Sequence, residues 1–483
     1  MQMSNSPSAK KRSIDTRSLL SNTAMAFASQ FVAMLASCMT SLIVPKLLSV
    51  SNFGYWQLFI FYSSYVGFFA LGAIDGVYLI NGGKTRESIN RRSINSQFWI
   101  STGYVALFSF LFALTASRFV SEAARVEVFY LTALYSVLSQ MSAGLGYILQ
   151  TINETKSYSK SVMLDRGSFA AFLVILIALK CTSFEPYIIF FIVSKLVCFI
   201  YCANQLRDFL ASGFLPLGPA IQETLASIKV GIKLMFAGIA SMLITGIARQ
   251  AIDSNWGINV FAKVSMALSL VNFFSMFVNQ ASMVLFPALR RGTKEEQVGL
   301  YINLRDALEL FMPYIYLCYF PAVIILGSWL PQYTDSLTYF AVLLPICAYD
   351  AKMSICGTTY FKVLRLERKL LLINLSTVAM SAIFTMISLA FNSLDCILYS
   401  MVLSIALRAN LSEFILNKRQ EIAHSRLAIG EAGFTLVFLI ACATLDIKLA
   451  FVIVLLALTI HTLTNKRLIK DILKKTRGVF SAP

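Results

Sequence analysis

The run from Leu19 to Val44, LLSNTAMAFASQFVAMLASCMTSLIV, decides the class of this protein. It contains no Asp, Glu, Lys or Arg, and it outlasts the roughly 7–15 apolar residues of a signal-peptide core. We therefore read it as a first membrane helix rather than a cleaved leader. A helix crosses the ~30 Å hydrocarbon layer in about 20 mostly apolar residues. Runs of that kind recur at approximately 55–79, 95–117, 127–149, 162–180, 186–206, 229–248, 258–286, 308–330, 336–360, 370–391, 394–416, 429–444 and 447–464, about fourteen in all. Lipid supplies no hydrogen bonds, so each run must satisfy its backbone internally as a helix. The expected fold is an all-α polytopic membrane protein of about 14 transmembrane helices.

Composition points the same way. Of 483 residues, 57% are hydrophobic and 13% are charged, against about 25% charged in soluble domains. Mean hydropathy is +0.71. A net charge of +17 in a soluble protein would suggest nucleic acid. In a membrane protein it reflects the enrichment of Lys and Arg in cytoplasmic loops, so no nucleic-acid partner is expected.

The distribution of that charge orients the chain. With the N-terminal tail 1–18 inside, Lys84, Arg86, Arg91 and Arg92 follow the second run on the same side. Arg290, Arg291 and Lys294 follow the eighth, and Lys362, Arg365, Arg368 and Lys369 the tenth. The tail 465–483 adds Lys466, Arg467, Lys470, Lys474, Lys475 and Arg477, which places both termini in the cytoplasm of a bacterial inner membrane. A miscounted helix would scramble this asymmetry beyond the error.

Several chemistries are excluded. The cysteines (Cys38, Cys181, Cys198, Cys202, Cys318, Cys347, Cys356, Cys396 and Cys442) are scattered through apolar runs and lack histidines or carboxylates at ligand spacing, so no metal is expected. Gly82-Gly83-Lys84-Thr85 looks like the end of a phosphate-binding loop. The earlier glycine is replaced by Tyr78 and the preceding element is a membrane helix, which rejects a nucleotide site. No cofactor is implied. Loops are short, the longest being the amphipathic stretch from Arg207 to Lys229, and none houses the carboxylate or histidine clusters of a membrane glycosyltransferase, polymerase or ligase. A transporter is expected, not an enzyme.

The two halves echo one another. Leu47-Leu48-Ser49-Val50-Ser51-Asn52-Phe53-Gly54-Tyr55-Trp56 opens the second run, and Trp256-Gly257-Ile258-Asn259-Val260-Phe261-Ala262-Lys263-Val264-Ser265 opens the eighth. Matches at equivalent points of two halves indicate duplication. The expected organisation is two pseudo-symmetric six-helix bundles, 19–210 and 229–417, joined by a cytoplasmic linker at 211–228 and followed by a helix pair at 427–464.

These residues carry a resemblance. LLSVSNFGYWQL is similar to the outer-turn signature of the multidrug/oligosaccharidyl-lipid/polysaccharide exporter superfamily. Within Ile247–Arg291, residues Phe261, Ser265, Ala267, Ser269, Leu270, Leu285, Phe286, Pro287, Leu289 and Arg290 match the seventh and eighth spans of its polysaccharide and O-antigen flippases. Ala262 stands where relatives often have Gly, and Ala248 where many have an acidic residue. The resemblance implies alternating access and a polyprenyl-pyrophosphate-linked oligosaccharide as substrate. It also implies a lipopolysaccharide or other surface-polysaccharide pathway, with the polymerase and chain-length machinery as partners.

Such a substrate needs cations in the membrane, where each costs about 2.5–3.5 kcal/mol on insertion scales. Lys195, Lys263, Lys352 and Arg408 lie inside the runs, with Arg249 at the outer end of the seventh. These are the cavity candidates, with snorkelling the competing account for those near helix ends. Asp75, Asp350 and Asp253 are candidates for ion coupling or for ion pairs that fix helix packing. Asp350 and Lys352 point to different helix faces, and Pro345 is expected to break that helix. A multidrug/cation antiporter of the same superfamily is the main rival. The absence of Asp or Glu between Leu19 and Val44 and the abundance of embedded cations favour an anionic substrate.

Overall fold

The computed structural model describes residues 16–291, 293–423, 425, 427–466 and 468–469, with side chains described outside 16–24 and 277–292. Most of both expected tails lies outside the described residues, including Lys470, Lys474, Lys475 and Arg477. So do the side chains of Leu285, Phe286, Pro287, Leu289, Arg290 and Arg291. The described chain is helical throughout, with no strand among the described residues.

Among the described residues, eleven helices are long and apolar enough to span a bilayer, and two bent pairs raise the number to thirteen. One of these thirteen, Leu217–Met276, is far too long for a single crossing. Gly257, at φ 74°, interrupts it. The guanidinium of Arg249 donates to Ser265 Oγ at 3.0 Å, although sixteen residues of straight helix would separate them by ~24 Å. The chain therefore reverses at Gly257, and thirteen spans become fourteen.

In order these are Thr16–Leu42; a second span broken into Val50–Ser63 and Ala73–Asn81; Arg91–Ser117; Ala123–Thr151; Thr155–Ala178; and Glu185–Gln205. The seventh, 217–256, and eighth, 258–291, flank Gly257. The ninth joins Lys294–Phe311 to Tyr319–Trp329 through a 3-10 segment. The tenth joins Thr334–Leu343 to Pro345–Lys352 and Thr359–Val363 through a π-helical turn, Met353–Thr358. Glu367–Ala390, Leu394–Gln420, Leu427–Thr444 and Ile447–Thr464 complete the set.

Local chemistry sets the ends. Ser49, Asn90 and Ser393 cap the helices that follow them, and Thr293 with Glu296 forms a reciprocal capping box. Asn153, Lys180, Arg365, Asn392 and Glu421 take left-handed conformations at helix C-termini, which closes the turns tightly. One feature departs from the expectation. The second span bends by 52° around Leu71 and Gly72, both at positive φ. The segment expected as a linker at 211–228 is helical from Leu217, an amphipathic stretch that buries Ala220, Thr224 and Ser227 and leaves the opposite face exposed. The tenth span bends by 40° at Pro345, where a break is expected.

The seventh span joins the two halves. Its backbone at Ser227 and Gly231 meets Gly76 and Gly72 so closely that a Cβ on these glycines would overlap backbone atoms. On its other side, Asn374 Nδ2 and Ser381 Oγ of the eleventh span donate to the carbonyls of Ala237 and Ile244 at 3.3 and 2.6 Å. The repeated motifs meet one another. A Cβ on Gly54 would lie 3.2 Å from that of Ala262, its counterpart in the second half. The same Cβ would lie closer still, at 2.7 and 2.8 Å, to Cγ1 and the carbonyl oxygen of Ile258, so glycine at 54 lets the eighth span approach.

Candidate functional site

The embedded charges fall into separate places. Lys195 of the sixth span is held by Asp165 of the fifth at 2.6 Å, under the rings of Tyr135 and Phe191. Lys263 pairs with the exposed Asp335, joining the eighth span to the tenth. Arg408 donates to Asn374 Oδ1 at 3.0 Å and lies 3.9 Å from Asp350, whose side chain is 40% exposed. Asp75, half-buried in the first turn of Ala73–Asn81, the latter part of the second span, has no ion-pair partner among the described residues.

Asp253 faces Arg125 across the boundary between the halves, with bonds of 2.5 and 2.8 Å. Arg125 also binds Glu122 at 2.6 Å, and Glu122 accepts from the Tyr55 hydroxyl. Nearby, Lys46 Nζ donates to the Trp329 carbonyl at 2.6 Å and Trp329 Nε1 to the Leu42 carbonyl at 3.1 Å. These contacts fasten the ends of the spans that the charge distribution assigns to the outer side.

Lys352 is 2% exposed and sits among three carboxylates. Glu309, Glu413 and Glu431 lie at 2.7, 2.6 and 3.3 Å. They come from the ninth, twelfth and thirteenth spans and are almost wholly buried. The π-helical turn begins at the next residue, and such turns occur often at functional positions. One ammonium against three carboxylates leaves two negative charges in excess when all are ionised. Arg305 is the neighbouring cation, linked through Asn417 to Glu413 and paired with Asp306. The cluster also docks the C-terminal helix pair. Glu431 is reinforced there by the Tyr316 hydroxyl bonded to Thr435 at 2.9 Å and by Tyr316 stacked on Phe434 and Phe438.

Arg249 is different. No carboxylate lies within ion-pair distance of it among the described residues, and its buried Nε lacks a partner. The guanidinium lies 4.9 Å from the Phe61 ring and 5.2 Å from Phe261. Tyr65 stands beside it, in edge contact with Phe61 and donating to the Met242 carbonyl at 3.1 Å. Tyr65 also lines an apolar cavity of about 510 Å³. Its walls include Tyr62, Phe69, Phe112 and Phe129 from the first half, and Phe236, Leu243, Leu375 and Val378 from the second. An uncompensated cation thus adjoins an aromatic chamber between the two halves.

No family model matches the chain, and no curated protein matches it. Among solved structures, the lipid II flippase MurJ in an inward closed conformation is similar over 93% of this chain and all of its own, with a TM-score of 0.60 at 11% identity. The fold is that of MurJ and the MATE transporters. A multidrug resistance MATE family transporter of the MOP superfamily, inward-facing, gives a TM-score of 0.53 at 12% identity over 81% of this chain and 94% of its own. A variant of the Vibrio cholerae MATE transporter VcmN gives 0.50 at 11% identity over 86% and 98%.

Sequence reasoning picks out Arg249 and Lys352 but misses Glu309, Glu413, Glu431, Asp165 and Arg125. Asp165, Glu309, Glu413 and Glu431 all fall within three residues of the end of an apolar run, where an acid is unremarkable in the sequence.

Proposed function

We propose that this chain is a flippase carrying polyprenyl-pyrophosphate-linked oligosaccharide from the cytoplasmic to the outer leaflet of a bacterial inner membrane. The substrate is an O-antigen or other surface-polysaccharide repeat unit. The two bundles rock about the cavity between them by alternating access, and the last two spans brace the second bundle. Arg249 carries the reading. An arginine without a carboxylate inside the membrane is costly unless an anion visits it. Its fork is suited to phosphate oxygens. The adjoining aromatic chamber accepts apolar matter, so head and tail of an amphiphilic anion have distinct places. MurJ, with the same fold, is described as a lipid II flippase. Asp75 is the proposed coupling carboxylate.

The test is surface glycan display in cells expressing Arg249→Gln at wild-type protein level. We expect display to fall by at least tenfold, with Arg249→Lys retaining part of it. Full display by Arg249→Gln would remove the anion site from the mechanism. The cation antiporter is the second reading, favoured by the excess carboxylates around Lys352. A variant that leaves display intact but abolishes extrusion of cationic dyes would establish it instead.

A further inference from the structure

The eleventh and twelfth spans run antiparallel and leave a groove of about 730 Å³ at one end. Its walls are two stripes of identical spacing. Lys369, Leu372, Ile373 and Ser376 recur at i, i+3, i+4 and i+7 on the eleventh span. Leu411, Phe414, Ile415 and Lys418 do the same on the twelfth. Arg419 follows Lys418. The antiparallel arrangement brings Lys369, Lys418 and Arg419 to one mouth, while Leu372, Leu411 and Phe414 are exposed along the sides. Ile373 and Ile415 form the floor. No carboxylate lines the groove, and none of the three cations has an ion-pair partner among the described residues. This end belongs to the basic loops that the charge asymmetry assigns to the cytoplasm.

An exposed apolar trough one or two helical turns deep, opening on three unpaired cations at the interface, is complementary to one kind of molecule. We propose that this groove binds an anionic phospholipid of the surrounding bilayer. Its phosphate contacts Lys369, Lys418 and Arg419, and an acyl chain runs over Ile373 and Ile415 between Leu372 and Phe414. Basic residues at a membrane surface attract anionic lipid by roughly fivefold each, and a groove between helices turns that attraction into a site. The inference does not depend on the substrate proposed above. The groove lies on the far side of the twelfth span from Glu413, whose carboxylate faces Lys352, so occupancy would bear on the helix that supplies part of the buried cluster.

The test titrates the full-length protein in detergent with phosphatidylglycerol or with phosphatidylcholine of the same acyl chains, read by native mass spectrometry. Wild type should retain phosphatidylglycerol at least tenfold better. Lys369→Gln/Lys418→Gln/Arg419→Gln should lose that preference, while Lys362→Gln/Arg365→Gln, on the same loop but outside the groove, should keep it. Ser376→Phe, which fills the groove and leaves the charges, should also lose retention. It stands as the deciding variant if the triple change unfolds the protein. Unchanged selectivity in either groove variant would overturn the proposal. So would equal competition by soluble glycerol phosphate, which would mark a free-anion patch. Displacement by polyprenyl phosphate that phosphatidylglycerol cannot reverse would assign the groove to the substrate and overturn it as well.

Discussion

Replacing Lys352 by methionine should be among the most damaging single changes in the second bundle, and removing one of its partners should not. The ammonium holds three carboxylates at 2.6–3.3 Å, and all four side chains are at most 8% exposed. Taking away one side of a buried ion pair leaves the other charge without compensation, at about 3–5 kcal/mol. Lys352→Met strands three. Glu431→Gln, by contrast, removes one of two charges in excess and leaves the lysine with Glu309 and Glu413, so its cost should stay below about 1 kcal/mol. Lys352→Met/Glu413→Gln should recover part of the loss of the single lysine change. Unfolding of the purified full chain by SDS in mixed micelles, followed by tryptophan fluorescence, reads these differences. If Glu431→Gln destabilises as much as Lys352→Met, the cluster is not over-supplied with negative charge and the reasoning fails.

Other consequences are separable from that one. Arg125→Gln breaks the clamp on Asp253, whose charge-assisted bonds are worth about 1.5–3 kcal/mol each. It should raise the labelling of a cysteine placed at Ala133, which lines the aromatic cavity, by tenfold or more with a membrane-impermeant thiol reagent added outside; unchanged labelling would show that the clamp does not close that side. The loop that follows the second span offers a pH test. Arg86 holds the Asp208 carboxyl below its usual range, chiefly through their hydrogen bond. A depressed carboxylate contributes stability that is present above its unfolded value of about 4 and is lost as pH falls through the folded value. The difference in unfolding midpoint between wild type and Arg86→Ala should therefore be constant from pH 8 to pH 5 and shrink below about pH 4. A difference that grows on acidification would contradict the pairing.

Much of the architecture can be read along the chain. Leu19–Val44 and its successors declare themselves by length and apolarity alone, and the similar motifs at Phe53 and Phe261 lie where the second and eighth spans begin. The break at Pro345 also follows from covalent chemistry, since proline removes a backbone donor. The bend at Leu71–Gly72 is hidden in the sequence, because neither residue is a strong breaker inside an apolar run. Only the close passage of Gly72 and Gly76 against Gly231 and Ser227 gives it a reason.

The candidate site is far less legible. Lys195, Lys263, Lys352, Arg408 and Arg249 are alike in sequence: basic residues in apolar surroundings. What separates them is the group across the helix interface: Asp165, Asp335, a trio of glutamates, Asn374 with Asp350 nearby, and for Arg249 aromatic rings and a serine hydroxyl. Sequence by itself determined that the chain is a bundle of membrane helices, because burial in lipid is decided residue by residue by transfer energy. Which embedded charges are neutralised was decided only by tertiary structure. Electrostatic pairing acts over a few ångströms, and Lys352 reaches Glu309, Glu413 and Glu431 from spans that only packing brings together.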